Sequence, residues 1–348
     1  MLVIRTAQMT DLDPLYDLIS SSTYGLTTLK ISKEQLEERI EDSLYSFRRK
    51  PRQPSGQPYV FVMEDLDHGR IVGTCSIYSK VGGFEPFYAY RIESVVRESR
   101  QLETTRQFEV LHLVKEHDGP TEIGSLYLSP DYRGSGNGRL LSLSRFLFMA
   151  NAPERFDPQV IAEMRGRVGG DGRSPFWEAI GRHFFDIEFP KAEMLTTVSK
   201  TFIADLMPIH PLYVALLPES AQATIGQVHE HTEPALAMLK KEGFEHRQRI
   251  DIFDGGPVMH CDVQNVRVVK ESLQGRVVQI CDDVEGSPRL ICNESEEGFR
   301  CVLGAVEVKS PESREGLAEV SLGRVTAMAL GVRMDETIRF ADLKPSCD

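Results

Sequence analysis

The chain has 348 residues, of which 41% are hydrophobic and 26% are charged, and its formal net charge at pH 7 is -12. This length predicts one large domain with a smaller one, or two domains of middling size. Because phosphate contacts need clustered lysine and arginine, an acidic chain without a long basic run is a poor nucleic-acid binder. An anionic ligand would have to be bound by a local device.

The N-terminus and the cysteines argue against a secreted or membrane protein. Acidic residues arrive by Asp11, the basic start and apolar core of a signal peptide are missing, and no apolar run approaches membrane-spanning length. The six cysteines form no CxxC pair, and no histidine spacing completes a zinc site. We therefore expect a cytoplasmic protein with reduced thiols, no metal and no membrane contact.

Hydrophobic periodicity predicts helices and strands in turn through the first 130 residues. A short strand at 2–6 precedes two helices, and Ser32 caps the second, with Gln35 in capping-box position. Runs rich in β-branched and aromatic residues then predict five strands. These strands lie at about 59–65, 69–79, 87–98, 106–116 and 122–130.

The second half of the chain changes texture twice. An apolar helix over 138–150 is followed by a mixed, mostly helical stretch with several proline breaks, about 151–227. A capped helix and a strand come next, and short β-branched runs alternate with turn residues after Asn265. We predict an α+β fold with one domain over 1–265, a helical insertion at about 151–227, and a small β-rich unit over 266–348.

Three glycines fall within five residues between the strand at 122–130 and the apolar helix. The loop reads RGSGNG from Arg133 to Gly138, with Arg139 beside it. Glycines let a backbone approach a ligand closely, and a helix that begins there offers unpaired N–H groups and the positive end of its dipole. The loop is therefore either a flexible turn before a core helix or a cradle for a phosphate.

The spacing of the glycines separates several kinds of phosphate loop. A Walker A loop needs Lys and then Ser or Thr after its last glycine, and a Rossmann fingerprint needs GxGxxG early in the chain. Neither is present. The pattern Arg-x-x-Gly-x-Gly, from Arg133 through Gly136 to Gly138, resembles the acyl-CoA loop of the GCN5-related N-acetyltransferase superfamily.

That resemblance implies a splayed mixed sheet flanked by helices, with CoA pyrophosphate on the loop amides and the thioester on the preceding strand. The implied donor-binding residues are Leu126, Leu128, Ser129, Arg133, Gly134, Ser135, Gly136, Asn137, Gly138 and Arg139. A late helix, TEPALAMLKKEGF, also matches the superfamily, although Leu239 stands where many members carry a proton-donating tyrosine.

Longer motifs resemble the arginine N-succinyltransferase family within that superfamily. They are AEMRG, SPFWEAIGRHFF, FIADLMP, IGQVHEHTEPALAMLKKEGF and IDIFDGGP, and the likeness runs from about Val3 to about Asp262. The family implies succinyl-CoA as a co-substrate rather than a resident cofactor, and the α-amino group of L-arginine as acceptor. It implies His229 as proton donor and a succinyl-CoA contact at Leu126. Related subunits of this family assemble together, so we expect a homo-oligomer or a hetero-oligomer.

The charges of the two substrates suggest further contacts. A guanidinium acceptor calls for carboxylates, for which Glu163 and Asp254 are candidates, and a free succinyl carboxylate calls for a cation such as Arg165 or Arg91. The stretch Gly25–Leu29, with Thr27 and Thr28, is a further candidate for covering the acceptor. We expect direct acyl transfer in a ternary complex, with Cys75 and Cys261 as core thiols rather than nucleophiles.

Three alternatives remain open from the sequence. Acetyl-CoA or an amine such as ornithine could replace succinyl-CoA or arginine without changing the mechanism. Leu239 in the tyrosine position leaves room for a non-catalytic CoA-binding partner subunit, whereas His229 argues for an enzyme. A phosphate-binding regulatory module is the weakest of the three, because it does not explain the long family motifs.

Overall fold

A computed structural model describes residues 1–20, 31–83, 85–196, 199–310 and 317–345. The strands are β1 (Leu2–Thr6), β2 (Pro58–Asp65), β3 (Arg70–Tyr78), β4 (Phe87–Ser99), β5 (Thr104–Glu116), β6 (Thr121–Leu128), β7 (Gln159–Glu163), β8 (Leu212–Tyr213), β9 (Glu245–Ile250), β10 (Pro257–Asp262), β11 (Leu273–Cys281), β12 (Pro288–Asn293), β13 (Arg300–Ser310), β14 (Ala318–Gly323) and β15 (Thr337–Asp342). The helices are α1 (Leu12–Ser20), α2 (Lys33–Arg48), α3 (Asn137–Asn151), α4 (Pro175–Ala179), α5 (Gly181–Phe185), α6 (Phe189–Thr196), α7 (Thr201–Leu206), α8 (Glu219–Gln222), α9 (Glu233–Lys241), α10 (Arg267–Glu271) and α11 (Arg324–Leu330).

The strands form one continuous mixed sheet. From one end to the other their order is β12-β15-β11-β14-β13-β1-β2-β3-β6-β7-β10-β9-β4-β5-β8. Strand β12 also pairs with β13, so β11 to β15 close into a small barrel at one end of the sheet. The predicted fold class, an α+β sheet flanked by helices with a β-rich C-terminal part, is confirmed.

The sheet opens between β6 and β7, which are parallel neighbours. Their pairing is limited to Thr121 with Val160 and Glu122 with Ile161. Beyond Glu122 the two strands separate, while β6 stays paired with β3 on its other side as far as Leu128. One edge of β6 therefore keeps its backbone N–H and C=O groups away from any neighbouring strand, as the splayed sheet expected from the sequence requires.

Helix α3 fills the centre of the molecule. Ten consecutive residues, from Leu140 to Met149, are buried, which explains why this helix is apolar on nearly all its faces. Phe148 makes edge contacts with Phe61 and Phe299 at ring-centroid distances of 5.3 and 5.1 Å. The core around α3 thus combines residues from β2, the helix and the segment before β13.

Local sequence signals account for several element ends. The Ser32 hydroxyl accepts the N–H of Gln35 at 3.2 Å, and the Gln35 side chain accepts the Ser32 N–H at 3.0 Å, so the predicted capping box is confirmed. Within the stretch predicted as a helical insertion, β7 is a central strand of the sheet, and α4 to α8 follow it. None of the helices in the described ranges is both long and apolar enough to cross a membrane.

The C-terminal segment is bonded to the N-terminal one. Strand β1 pairs with β13 through Val3 and Val302, and with β2 on its other side. Buried Arg155 reaches across to Glu296 and also donates to the Tyr59 hydroxyl at 3.1 Å. The two parts share strand pairing and core contacts, and the division at residue 265 stays a prediction.

Candidate active site

A cavity of about 1560 Å³ opens where β6 separates from β7. The glycine loop, β6 and one face of α3 line one part of it, and β7 with the segment after β9 lines another. Residues of α6, α7 and α9, the turn before α9 and the segment between β3 and β4 also line it. A single space therefore touches most of the elements that the sequence marked as functional.

The glycine loop presents its backbone to this cavity. Gly134, Ser135 and Gly136 have φ angles of +93°, +46° and +85°, and α3 begins at the next residue. Within the described residues, the N–H groups of Gly134, Ser135, Gly136 and Gly138 donate to no backbone acceptor. A Cβ added at Gly138 would meet no atom within 4 Å. The loop therefore offers free amides and open space at a helix N-terminus, the arrangement that binds phosphate.

Most of the residues predicted to bind the donor line the cavity. These are Leu126, Leu128, Arg133, Gly134, Ser135, Gly136, Gly138 and Arg139. Ser129 and Asn137 stand outside the lining: the Ser129 N–H donates to the Val72 carbonyl, and the Asn137 amide donates to the Tyr132 carbonyl at 2.9 Å. These two residues hold the loop in shape.

The Arg133 side chain makes two contacts within the protein. Its Nε donates to the Leu128 carbonyl at 3.1 Å, and its guanidinium lies 6.0 Å from the centre of the Tyr127 ring. The side chain therefore braces the end of β6 while it lines the cavity.

His229 lies at the cavity in the turn before α9. Its N–H donates to the Arg165 carbonyl at 2.8 Å, and the adjacent Val228 forms an antiparallel β-bridge with Gly166. These backbone contacts fix the turn against the segment after β7. The His229 Nδ1 accepts the N–H of His231 at 3.2 Å. In the neutral ring the proton is therefore on Nε2, which is the atom left to donate.

Three carboxylates line the cavity on the β7 side. The surrounding protein desolvates Glu163 even though its side chain opens onto the cavity, and this burial, together with Glu122 and Asp251, raises its pKa well above the usual range. Burial also raises the pKa of Glu122, against the pull of Lys200. The pKa of Asp251 is raised to about 8, first by burial and then by Asp254. A bound cation favours the ionised form of such carboxyls, so this group of acids suits a cationic ligand.

The other two predicted substrate contacts have partners within the protein. Asp254 is 3% exposed and accepts the N–H groups of Gly166 and Gly256, each at 2.8 Å. Arg165 forms ion pairs with Glu193 and with Asp254. Burial alone would lower the pKa of Arg165, but these acids raise it. Both residues line the cavity, yet their charges are already matched.

The remaining acceptor candidates lie elsewhere. Arg91 pairs with Glu93 on the exposed part of β4 and is not part of the cavity lining. The stretch Gly25–Leu29, with Thr27 and Thr28, lies outside the described residues.

Cys75 and Cys261, the two cysteines considered as nucleophiles, are core residues. Cys75 and Cys261 are 0% and 3% exposed, and burial raises the pKa of each thiol to about 11. Thiolate, the nucleophilic form, is thus disfavoured at both positions, in agreement with the sequence interpretation.

The sequence interpretation missed Glu122, Asp251, Lys200 and Arg145, which all line the cavity. Their signal was present but not used. Glu122 is an acid at the start of one predicted strand, Asp251 is an acid within another, and Arg145 is a cation within an apolar helix. A charge in an otherwise buried element has to be explained by a partner or a ligand.

The splayed strands, the amide-rich loop at a helix N-terminus and the nearby histidine define the fold of an acyl-CoA N-acyltransferase. Comparison with known proteins agrees with this class and narrows it. Residues 2–268 match the family described as arginine N-succinyltransferase beta subunit. The chain belongs to this family.

Relatives match over most of the chain. An arginine N-succinyltransferase from Citrobacter koseri is 44% identical over 312 residues, covering 87% of this chain and 88% of the relative. One from Escherichia fergusonii is 43% identical over the same shares. A solved structure, the arginine/ornithine succinyltransferase subunit AI from Pseudomonas aeruginosa, is 35% identical, with a TM-score of 0.87 and 99% coverage of both chains.

Proposed function

We propose that this chain transfers the succinyl group of succinyl-CoA to the α-amino group of L-arginine. The products are N2-succinyl-L-arginine and CoA, and the reaction is the first step of arginine degradation by the succinyltransferase pathway. The observation that carries the proposal is one cavity lined both by free loop amides and by the three carboxylates of Glu122, Glu163 and Asp251. The first set suits an anionic donor and the second suits a cationic acceptor. Family membership supports both assignments.

The donor binds along the loop and β6. The amides of Gly134, Ser135, Gly136 and Gly138, with the dipole of α3, hold the pyrophosphate of CoA. Arg139, which lines the cavity at the start of α3, adds positive charge. The pantetheine arm then runs along the free edge of β6, where the strand has no neighbour beyond Glu122. This path brings the thioester to Leu126.

The acceptor binds at the carboxylates. Glu163, predicted from the sequence, acts together with Glu122 and Asp251 to hold the guanidinium by charge-assisted hydrogen bonds. Within the described residues, no group of three or more His, Cys, Asp or Glu is arranged to hold a metal ion, so a guanidinium is the better match for this charge. Asp254 and Arg165 support the site by fixing the loop that carries Asp251.

The reaction is a direct transfer. The neutral α-amine nitrogen attacks the thioester carbonyl carbon, a C–N bond forms, and the carbonyl electrons move onto oxygen, where amides of the 126–128 segment stabilise them. When the carbonyl re-forms, the C–S bond breaks and CoA leaves as a thiolate. The nitrogen loses one proton and the thiolate gains one, so atoms and charge balance.

His229 manages this proton. Its Nδ1 is held by the His231 N–H, so Nε2 carries the proton that passes to the leaving thiolate. The ring recovers a proton from the attacking amine, directly or through water. Leu239, in the position of the tyrosine used by many members of the superfamily, is 4% exposed and has no proton to give.

A thiol-release assay tests the proposal. Purified protein receives succinyl-CoA and L-arginine, with acetyl-CoA and L-ornithine as alternative donor and acceptor. Release of CoA only with succinyl-CoA and arginine is the expected result. Release with acetyl-CoA or ornithine at the same rate would keep the chemistry and overturn the specificity.

A second candidate function rests on Leu239. Without a side-chain acid in α9, the chain could bind CoA as the partner of a catalytic subunit, and the solved relative from Pseudomonas aeruginosa is itself described as a subunit. CoA binding without thiol release from any donor and acceptor pair would favour this function.

We infer a cytoplasmic protein that assembles with its own copies or with a related subunit, and light scattering on the purified chain tests the first of these assemblies.

A further inference from the structure

Arg145 is a buried cation that the reaction scheme has not used. It lies on α3, on the helix face that also brings Gly138, Leu141 and Ser142 to the cavity. Its side chain is 2% exposed. A charge removed from water to this degree is unfavourable unless an opposite charge accompanies it.

The contacts of Arg145 are all with neutral groups. Its Nε donates to the Ser142 carbonyl at 3.0 Å, one terminal nitrogen donates to the Ser142 hydroxyl at 2.8 Å, and the other donates to the Gly124 carbonyl at 3.4 Å. In the described part of the chain, no carboxylate lies within ion-pair distance of it. A guanidinium has five N–H donors, so two remain for a ligand.

Other buried or half-buried arginines of the chain differ from Arg145 in this respect. Arg155 contacts Glu296, Arg267 contacts Glu242, and Arg165 contacts Glu193. Correspondingly, against the effect of burial, Tyr59 and Glu296 raise the pKa of Arg155 and Glu193 raises that of Arg165, whereas burial lowers the pKa of Arg145. The missing anion is a property of this position rather than of buried arginines in this fold.

The position of Arg145 along the cavity suggests where an anion would enter. Gly124, whose carbonyl it contacts, lies four residues before Leu128, which is about 13 Å along β6 from the loop end of the strand. Glu122 lies two residues further on, among the carboxylates assigned to the acceptor. Along α3, Arg145 is about 10 Å from Gly138. The guanidinium therefore lies between the phosphate end and the acceptor end of the cavity.

We propose that Arg145 binds the free carboxylate of the succinyl group and thereby selects a donor with a terminal carboxylate. This inference rests on the proposed function. An acyl group must reach the place where donor and acceptor meet, and Arg145 borders that place. Arg165, the cation suggested by the sequence, is already paired with Glu193 and Asp254.

The test compares two donors that differ at one end. Butyryl-CoA has the same number of acyl carbons as succinyl-CoA but carries a methyl group in place of the carboxylate. With L-arginine as acceptor, the wild-type protein is expected to prefer succinyl-CoA by about 100-fold in kcat/KM, because a built charged site rejects a ligand that leaves it unpaired. Equal use of both donors would overturn the assignment of Arg145.

The variant Arg145→Met removes the cation and keeps much of the apolar volume. Its kcat/KM for succinyl-CoA should fall about 100-fold, while that for butyryl-CoA changes by less than about 10-fold. An unchanged preference would contradict the proposal. If this variant does not fold, Arg145→Gln, which removes the charge and keeps hydrogen-bonding groups, decides by the same ratio: a preference reduced about 10-fold or more supports the role of the cation, and an unreduced one overturns it.

Arg139→Met is the matched control. Arg139 lies on the same helix near the phosphate loop, so its loss should weaken both donors by the same factor. A selective loss of succinyl-CoA with this variant would move the specificity away from Arg145. Failure of the wild-type protein to release CoA from succinyl-CoA and arginine would overturn the proposed function itself, which is a different result from a changed donor ratio.

Discussion

The His229 side chain is the residue on which the proposed chemistry depends most. Replacing it by alanine should lower kcat by about 100- to 10,000-fold, the usual worth of a positioned acid or base. The affinity for CoA should stay the same, because no loop amide is touched. Thiol release and calorimetric titration with CoA measure the two quantities.

His231→Ala is the matched control for that variant. The His231 ring is exposed and its centre lies 5.1 Å from that of the His229 ring, while its hydrogen bond to His229 comes from the backbone N–H, which alanine keeps. We expect nearly full activity. Equal losses in the two variants would show that the turn, rather than the Nε2 proton, is what the reaction needs.

Asp251 gives a pH prediction. Its pKa of about 8 means that it is mostly neutral at pH 7 in the free protein, and a bound cation favours the ionised form. Affinity for deaminoarginine, whose guanidinium does not titrate in this range, should therefore rise as the pH increases through about 8. Isothermal titration between pH 6.5 and 9 measures it, and a flat profile would contradict the assignment.

The raised pKa of Asp251 also affects the stability of the folded protein. A carboxyl whose folded pKa is raised binds protons more tightly in the native state, so it costs stability as the pH rises from about 4 to about 8. Asn at this position can still accept the N–H groups of Phe253 and Asp254. Asp251→Asn should therefore raise Tm near pH 8 relative to the wild type while it weakens acceptor binding.

At the level of single residues, sequence reasoning found what local patterns encode. Glycine spacing placed the loop, and a motif of consecutive residues placed His229. Glu122 and Asp251 could not be joined to Glu163 in this way, because they come from segments far apart in the chain that meet only through strand pairing. Arg165 is a candidate cation from the sequence, and its ion pairs with Glu193 and Asp254 depend on contacts that spacing does not reveal.

At the level of elements, the glycine loop and the start of α3 allow the donor to be tested without the chemistry. Gly138→Val places a branched side chain in open space, so folding should be little affected. CoA affinity should fall by about 10-fold or more, because the new atoms occupy the approach to the loop amides. Thermal unfolding and CoA titration together check both halves of this prediction.

Gly170→Val is the control for the loop variant. Gly170 also has no atom within 4 Å of an added Cβ, but it is not part of the cavity lining. Its CoA affinity should match the wild type. Loss of CoA binding in both variants would point to a general effect of valine on the fold.

Elements with strong periodicity were predicted well, and those that depend on context were not. The paired strands β4 and β5 and the capping box at Ser32 follow from local sequence. Strand β7 was missed inside a stretch assigned as mostly helical, because a five-residue run, buried between β6 and β10, has too short a pattern to separate from a helix.

At the level of the whole molecule, Glu296 joins the C-terminal part to the core. Its partner Arg155 is 1% exposed and anchored to Tyr59, so Glu296→Ala leaves a buried cation unpaired. We expect unfolding free energy to fall by about 2 kcal/mol, below the range for fully buried pairs because Glu296 is partly open to solvent. Denaturant unfolding followed by near-UV and far-UV signals measures the change.

The neighbouring Glu297 supplies the control for this prediction. It pairs with Arg48 on the surface, where both side chains are exposed, so Glu297→Ala should cost less than about 1 kcal/mol. If the parts before and after residue 265 unfold together, the near-UV and far-UV transitions should coincide in the wild type and in both variants. Separate transitions would instead support an independent unit after residue 265.

The opening between β6 and β7 has a consequence for solubility. At the outer edge of a sheet, an unpaired strand can form hydrogen bonds with a strand of another chain, and proteins normally protect such edges. Here the free edge of β6 lies inside the sheet, and the pairing of Thr121 with Val160 closes one end of the gap. A second protein chain cannot dock there as it could at an outer edge, so the protein keeps exposed backbone for a slender ligand without offering a template for aggregation.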